Sequence, residues 1–231
     1  MRLYAIGDVH GRQDLLAEMH RRIRAEIDRD GVADWRIVHV GDYVDRGPHS
    51  RQVIQFLIDA MDADPRHIAL GGNHDAGMVD FLDHAGKDGI FAVHGGRETC
   101  WSYGVEADFG SEPLARRTAA ALLATMPASH VEFLKSLPRS VAFGDFFFCH
   151  AGIRPGVPLS GQDPEDLIWI RQAFHNSPLL HEKVIVHGHT PTHEPEILPN
   201  RINIDTGAYY SGILSAIAID GTMKRVIQVS A

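Results

Sequence analysis

A chain of 231 residues fits one large domain with a core of its own, and 44% hydrophobic with 23% charged residues is ordinary for a globular protein. The formal net charge of −8 argues against general affinity for nucleic acid or an anionic membrane, but it does not exclude a phosphorylated substrate. Two cysteines cannot form a disulfide framework, and no apolar run approaches the roughly 20 residues that cross a bilayer. The first residues also lack an apolar leader pattern, so we expect a cytoplasmic protein without a membrane partner.

Helices and strands alternate along the first half of the chain, whereas strands dominate the last third. Hydrophobic periodicity predicts helices over residues 13–29, 50–60, 76–84, 113–125 and 129–137. Runs rich in Val, Ile, Phe and Leu predict strands over residues 2–6, 35–40, 66–70, 140–143, 146–149, 183–187, 201–204, 213–219 and 225–229. Prolines and glycines predict a long surface loop over residues 150–165. This order predicts one α/β domain over residues 1–231, with two packed sheets and helices on their outer faces.

Five short glycine-flanked clusters follow predicted strands: GDVHG at 7–11, GDYVDRG at 41–47, GGNHD at 71–75, HAG at 150–152 and HGHT at 187–190. One such cluster would be ordinary turn chemistry, but five at strand ends are hard to assign to turns alone. Their carboxylate, amide and imidazole groups, without a thiolate, suit two adjacent divalent metal ions. The candidate ligands are Asp8, His10, Asp42, Asn73 and His150, together with either His187 or His189. Spacing alone cannot decide which of these two histidines is the ligand.

Three other residues of these clusters, His74, Asp45 and Arg46, have candidate roles in the reaction. His74 directly follows Asn73 and must point elsewhere, towards a leaving group that it could protonate, and Asp45 could hold its tautomer. Arg46 offers a planar fork for phosphate. The structural alternative is that these segments are turns and helix caps, with Asn73 or Asp75 capping the helix predicted to follow.

In this order, and followed by IDTGA at 204–208, the clusters resemble the signature of the phosphoprotein phosphatase family, bacterial and phage type, within the calcineurin-like metallophosphoesterases. The resemblance implies an αββα sandwich of two mixed β-sheets flanked by helices. It also implies a serine/threonine protein phosphatase that hydrolyses phosphomonoesters by direct attack of a hydroxide bridging two metal ions. The expected metal is Mn²⁺, with Fe, Zn, Ni and Co as alternatives, and the expected substrate is a phosphorylated protein or a small phosphoester.

The resemblance also assigns roles to individual residues. One metal ion is expected to bind Asp8, His10 and Asp42, and the second Asp42, Asn73, His150 and His189, which leaves His187 for a supporting position. The implied general acid is His74 with Asp45 as its partner, the implied phosphate-binding residues are Arg46 and Arg171, and Tyr210 matches an aromatic position that lines the site in relatives.

The third cluster departs from the family pattern, which usually reads RGNHE where this chain reads GGNHD. Gly71 replaces an arginine that grips phosphate, and Asp75 replaces a glutamate. Arg154 and Arg97 are the candidates for supplying the missing cation. A GNHD ending also resembles diadenosine tetraphosphate hydrolases, so hydrolysis of a dinucleoside polyphosphate or another nucleotide phosphodiester at the same metals is the alternative. A binding module without turnover is disfavoured because His74 and Asp45 are present.

Overall fold

Ten strands account for both sheets of the computed structural model, which describes residues 1–231. In chain order they are β1 (Arg2–Ile6), β2 (Trp35–His39), β3 (His67–Ala69), β4 (Ser140–Phe143), β5 (Phe146–Cys149), β6 (Val184–His187), β7 (Glu196–Ile197), β8 (Arg201–Asn203), β9 (Ile213–Asp220) and β10 (Met223–Ser230). The nine predicted strands are present, and only β7, which has two residues, was missed.

The two five-stranded sheets are mixed. The first has the order β10-β9-β1-β2-β3, in which β1, β2 and β3 run parallel, and the second has the order β4-β5-β6-β8-β7, in which β5, β6 and β8 run parallel. The carboxyl ends of parallel strands share one edge of their sheet, which is where open α/β sheets bind ligands. Two of the glycine-flanked clusters directly follow β1 and β5, two follow β2 and β3 after one residue, and the fifth begins at the last residue of β6.

Ten helices accompany the two sheets. They are α1 (Gln13–Asp30), α2 (Ser50–Ala63), α3 (Asn73–His84), α4 (Ile90–Val93), α5 (Gly96–Ser102), α6 (Glu112–Thr125), α7 (Ala128–Ser136), α8 (Asp166–Trp169), α9 (Gln172–His175) and α10 (Ala208–Ser211). All five predicted helices are present. The helices α4, α8, α9 and α10 have four residues each and show no periodicity in the sequence, because a single turn is too short to repeat. None of the helices is long and apolar enough to span a membrane.

The core has three layers of apolar contact. Side chains that alternate along both sheets, such as Val38, Phe148 and Ile217, fill the space between the sheets. The apolar faces of α1 and α2 pack on the outer face of the first sheet, whereas Phe174 and the segment around α8 cover the outer face of the second. The fold is therefore the sandwich that the resemblance implied.

Three buried histidines lie side by side between α1 and the first sheet. Nε2 of His20 is 3.2 Å from Nε2 of His39, and the rings of His20 and His67 stack with centroids 5.2 Å apart. Burial lowers the pKa of His20 to about 3, and it also lowers the pKa of His39 and of His67. All three imidazoles are therefore neutral near pH 7.

Candidate active site

The five clusters meet where the carboxyl ends of the parallel strands of both sheets point. They bring together side chains that are far apart in the sequence. The backbone N–H of His189, for example, donates to Oδ2 of Asp8 across 181 positions, at 3.1 Å. We call the six side chains that converge here the donor cluster: Asp8, His10, Asp42, Asn73, His150 and His189, all of them buried.

Backbone strain is concentrated in the same loops. Six residues other than glycine have a positive φ, and five of them lie in the clusters: His10 (42°), Asp42 (54°), Asp45 (70°), Arg46 (67°) and His189 (68°). The sixth, Ala85, ends α3 in a left-handed conformation. Bulky side chains disfavour this region, so such conformations persist only where the surrounding structure holds them, which is common at functional sites.

Asp75 holds the loop after β2 against the loop after β3. Its carboxylate accepts the backbone N–H groups of Asp42 (2.8 Å), Tyr43 (2.9 Å) and Gly72 (2.9 Å). A Cβ on Gly72 would overlap the Asp42 carboxylate, so only glycine allows this approach. Asp75 does cap α3, as one interpretation of the sequence had it, but it also fixes the position of Asp42.

Two histidines of the donor cluster have their tautomers set by backbone carbonyls. Nδ1 of His10 donates to the carbonyl of Val44 at 2.7 Å, and Nδ1 of His150 donates to the carbonyl of Val40 at 3.0 Å. Each ring therefore turns Nε2 towards Asp42, whose Oδ2 lies 3.4 Å from both Nε2 atoms. Orientation of a histidine through its second nitrogen is typical of metal ligands.

Asn73 brings the second half of the donor cluster together. Its Oδ1 lies 2.9 Å from Nε2 of His150 and 2.8 Å from Nδ1 of His189, and these two nitrogens are 3.2 Å apart. Asp42 is thus shared by two groups, His10 with His74 on one side and His150 with His189 on the other.

The buried carboxylates of Asp8 and Asp42 need positive charge nearby to be stable in their ionised form. Burial, together with the nearby Asp205 and Asp42 carboxylates, raises the pKa of Asp8 well above its usual range. Burial also opposes the ionisation of Asp42, but the neighbouring imidazoles, His150 first among them, hold its pKa well below its usual range. Oxygen and neutral nitrogen donors around a shared carboxylate have the composition and charge that fit two divalent metal ions.

His74 and Asp45 form a buried pair beside the donor cluster. Nδ1 of His74 and Oδ2 of Asp45 are 2.7 Å apart, and Asp45 is completely buried. The hydroxyl of Thr99, in α5, donates to Oδ1 of Asp45 at 3.0 Å and accepts its backbone N–H at 2.8 Å. Residues 86–137 contain none of the five clusters, and they support this pair through Thr99, a residue that sequence reasoning missed.

Two arginines reach the donor cluster from different loops. Arg46 places Nη2 2.8 Å from Nε2 of His74 and Nη1 3.0 Å from Nε2 of His10, while Nε of Arg171 donates to Nε2 of His189 at 2.9 Å. The guanidinium of Arg46 also lies over the ring of Tyr209, 4.8 Å from its centroid. Both arginines lie where the sequence analysis expected a phosphate clamp.

His187, which spacing alone could not separate from His189, lies outside the donor cluster. The strand β6 ends at His187, and the positive φ of His189 turns the chain there. The ring of His187 instead packs against Phe174 and His175, each with a centroid distance of 5.2 Å, on the outer face of the second sheet. Its ring forms no hydrogen bond with a side chain of the donor cluster.

Three other residues named from the sequence lie elsewhere. Arg154 binds Asp166 on the surface, with Nε 2.6 Å from Oδ2, and Arg97 donates to the carbonyl of Ala107. Neither replaces the arginine that the family pattern has at position 71, because both guanidinium groups bind partners away from the site. Tyr210 is 61% exposed and packs edge-to-face on Tyr209, whose ring lies 5.4 Å from that of His10.

Asp205 is a further site residue that the sequence analysis did not single out, although its motif, IDTGA, was noted. It is buried beside Asp8, and its Oδ1 accepts the backbone N–H of Gly207 at 2.8 Å. Burial raises the pKa of Asp205 to about 6. Its position after β8 in the second sheet, at the same edge as the other clusters, was the signal that could have identified it.

Comparison with known families agrees with this geometry. The profile described as calcineurin-like phosphoesterase matches residues 1–212. The chain belongs to this family. Calcineurin-like phosphoesterases are hydrolases of phosphoesters that use a dinuclear divalent metal site, and the donor cluster fits that use.

Relatives within the calcineurin-like phosphoesterases include bis(5'-nucleosyl)-tetraphosphatases named PrpE. The protein from Bacillus mycoides (strain KBAB4) is 26% identical over 94% of this chain and 90% of its own length, and the one from Halalkalibacterium halodurans is 26% identical over 94% and 89%. A solved structure described as a putative diadenosine tetraphosphatase has a TM-score of 0.69 at 19% identity, covering 98% of this chain and 93% of its own. A solved structure of a serine/threonine phosphatase from Saccharomyces cerevisiae has a TM-score of 0.65 at 14% identity, and the match covers 100% of this chain and 80% of that one. Identities this low show a shared fold.

Proposed function

We propose that this calcineurin-like phosphoesterase hydrolyses dinucleoside polyphosphates, with dinucleoside tetraphosphates as its preferred substrates. The observation that carries the reaction class is the donor cluster, in which Asp42 is shared between two sets of ligands beside the His74–Asp45 pair. Support for the substrate comes from the PrpE relatives, which are similar along 94% of the chain. The alternative of the sequence analysis thus becomes the main proposal.

The metal ions would be held by Asp8, His10 and Asp42 on one side and by Asp42, Asn73, His150 and His189 on the other. When bound, they supply positive charge to the reacting phosphate and lower the pKa of a water molecule, which is why such sites hydrolyse phosphates at neutral pH.

The residues of the chain would bind and orient the phosphate from the open side. Arg46 and Arg171 approach the donor cluster from opposite loops, so their planar forks can hold two different oxygens of one phosphate group. Tyr209 packs on the guanidinium of Arg46 and restricts its motion. Because these arginines are already in position before the substrate binds, they stabilise the negative charge of the phosphate without having to rearrange.

His74 would deliver a proton to the leaving oxygen through Nε2, because Asp45 engages Nδ1. In the free protein Nε2 accepts from Nη2 of Arg46, and burial lowers the pKa of His74 to about 4, so the ring would first take up a proton at Nε2 once Arg46 turns to the substrate phosphate. The need for this proton depends on the leaving group. An alkoxide from phosphoserine is a strong base and needs the proton, whereas a phosphate from a dinucleotide is a weak base and leaves more readily without one.

Leaving-group dependence tests the role of His74. His74→Asn should lower kcat on phenyl phosphate or a phosphoserine peptide about 100-fold or more, the scale of a lost general acid, and should lower kcat on a dinucleoside tetraphosphate distinctly less. His84→Asn is the matched control on phenyl phosphate, which is too small to reach His84, an exposed residue at the other end of α3 that binds only Asp80. Equal losses on all substrates, or no loss, would contradict the acid role.

A serine/threonine protein phosphatase is the second candidate, favoured by the GDYVDRG loop, which places Arg46 and Asp45 beside the donor cluster. A substrate panel with Mn²⁺ separates the two: a dinucleoside tetraphosphate, a phosphoserine peptide, p-nitrophenyl phosphate and its bis ester. The proposal expects the largest kcat/KM for the dinucleotide. A larger value for the phosphopeptide would reverse the order of the two candidates.

A further inference from the structure

Arg139 occupies the space into which a side chain at position 71 would extend. A Cβ added to Gly71 would lie 2.7 Å from Nη1 of Arg139 and 3.2 Å from Cβ of Leu137. The backbone N–H of Gly71 donates to the carbonyl of Pro138 at 2.9 Å, which fixes the two segments against each other. The glycine that interrupts the third cluster thus makes room for a guanidinium from the segment that precedes β4.

The guanidinium of Arg139 has no protein partner. It is half-buried, yet it forms no hydrogen bond and no ion pair, in contrast to Arg154 and Arg97, which bind Asp166 and the carbonyl of Ala107. An arginine held by packing and left without an acceptor is suited to bind an anion from solution, because its planar fork matches phosphate oxygens.

Arg139 lines a groove that starts at the donor cluster. This groove, which we call the α3 groove, has a volume of about 440 Å³ and is bordered by Asn73, Ile90, Arg139, Ile168 and Trp169. Such a volume is within the range of small-molecule sites, about 300–1,000 Å³.

The α3 groove leads away from the donor cluster. Asn73, Gly77, Asp80 and His84 line it at helical spacing, so it follows one face of α3 for about 16 Å at 1.5 Å per residue. Asn73, which belongs to the donor cluster, lies at the inner end of the groove. Its outer part carries the carboxylates of Asp80 and Asp83, and Glu165 also lines the groove. These carboxylates repel phosphate but accept hydrogen bonds from amino groups, so Arg139 is the one guanidinium there that can bind a phosphate.

Trp169 presents an aromatic face beside the inner end of the groove. Its side chain is 42% exposed, and its ring centroid lies 6.2 Å from that of His189. An exposed tryptophan next to a catalytic centre provides a surface on which a planar base can stack, and such stacking contributes about 1–3 kcal/mol per base.

We propose that the α3 groove is a nucleotide subsite in which Arg139 binds the phosphate next to the reacting one and Trp169 stacks on the base. The adjacent phosphate is the better assignment for Arg139, because Arg46 and Arg171 already contact the donor cluster whereas Arg139 lines only the groove that leaves it. This subsite rests on the proposed function, since it names where a dinucleotide would place one nucleotide.

Kinetics on two substrates tests the subsite. Arg139→Ala should raise KM for a dinucleoside tetraphosphate about 10-fold to 100-fold, the range of one charge-assisted hydrogen bond, and should leave KM for p-nitrophenyl phosphate within about twofold. Trp169→Ala should raise KM for the dinucleotide alone in the same way. Arg154→Ala, which removes an exposed arginine outside the groove, is the matched control and should change neither KM.

Other outcomes decide against the subsite. An unchanged KM for the dinucleotide in Arg139→Ala would overturn it. A rise in KM of equal size for p-nitrophenyl phosphate would move Arg139 to the reacting phosphate and would also overturn it.

A nucleoside diphosphate separates failure of the subsite from failure of the proposed function, because its terminal phosphate can lie at the donor cluster and its inner phosphate at Arg139. If the wild type does not cleave the dinucleotide, competitive inhibition of p-nitrophenyl phosphate hydrolysis by ADP is measured instead. An inhibition constant that rises about tenfold or more in Arg139→Ala keeps the subsite while the proposed function falls. An inhibition constant that does not change in Arg139→Ala, or an absence of inhibition, overturns the subsite.

Moving the guanidinium between the two segments provides a further test. The single variant Gly71→Arg should collide with Arg139 and lose affinity for the dinucleotide, whereas Gly71→Arg combined with Arg139→Ala should recover part of it. Thermal unfolding identifies variants that fail to fold, and in that event the result of Arg139→Ala alone decides.

Discussion

Asp75→Asn is the substitution that best tests how the donor cluster is held. Both carboxylate oxygens of Asp75 are used: Oδ2 accepts the N–H groups of Asp42 and Gly72, and Oδ1 accepts that of Tyr43. An asparagine can keep one oxygen as acceptor, but its NH₂ group must then face a backbone N–H. The variant loses one charge-assisted hydrogen bond, leaves a buried donor unsatisfied and weakens the remaining two bonds.

The expected loss of stability is about 2–4 kcal/mol, given about 1.5–3 kcal/mol for a hydrogen bond to a charged group and the added cost of the unsatisfied donor. For a domain of this size each kcal/mol shifts Tm by about 2–4 °C, so Tm should fall by at least about 4 °C. Because Asp42 moves with its backbone, metal content and kcat should fall as well. Asp80→Asn, an exposed substitution in the same helix that affects only the contact with His84, should cost less than about 0.5 kcal/mol.

Urea denaturation and metal analysis on the purified variants measure both effects. If Asp75→Asn matches Asp80→Asn in stability and retains its metals, the carboxylate does not fix the loop after β2, and the reasoning from these three contacts is wrong.

Three further substitutions test other parts of the structure. Asp42→Asn should lose both metal ions and activity together, because both sets of donors share this carboxylate; retention of two ions per chain by elemental analysis would contradict the sharing. Thr99→Val should lower kcat several-fold with little change in KM and cost about 1–3 kcal/mol, because Asp45 loses its hydroxyl donor, whereas Thr125→Val on the surface should do neither. The pKa of His20 is lowered to about 3 in the fold, so the unfolded chain binds more protons, and stability falls as the pH drops from 6.5 towards 3. His20→Phe should therefore shrink the difference in unfolding free energy between pH 7 and pH 5 by about 2 kcal/mol, and an unchanged difference in urea titrations would refute this.

The sequence predicted the donor cluster because strand ends can be read from local patterns. Each cluster ends a run of apolar residues, and the parallel arrangement of β1, β2 and β3 then brings three clusters to one edge. The spacing of His187 and His189 left open which of them joins the donor cluster, because strand geometry ends with β6 and the positive φ of His189 turns the chain there.

Arg139 shows what local patterns cannot provide. It lies 68 positions after Gly71, and neither residue carries a signal that refers to the other until the fold puts them in contact. The arginines chosen from the sequence, Arg154 and Arg97, were near motifs in the chain and yet bind other partners. Tyr209 and Tyr210 are adjacent, so only the geometry of α10 decides which ring covers Arg46.

The five left-handed residues in the site loops also bear on how this protein can change. Each conformation costs on the order of 1 kcal/mol or more, so together they approach the whole net stability of a typical domain, about 5–15 kcal/mol. Glycine or asparagine at Arg46 or His189 would relax that strain and remove the chemistry in the same step. The most stable sequence for this fold is therefore not a catalyst, and selection for heat resistance alone would drive the chain towards an inert scaffold.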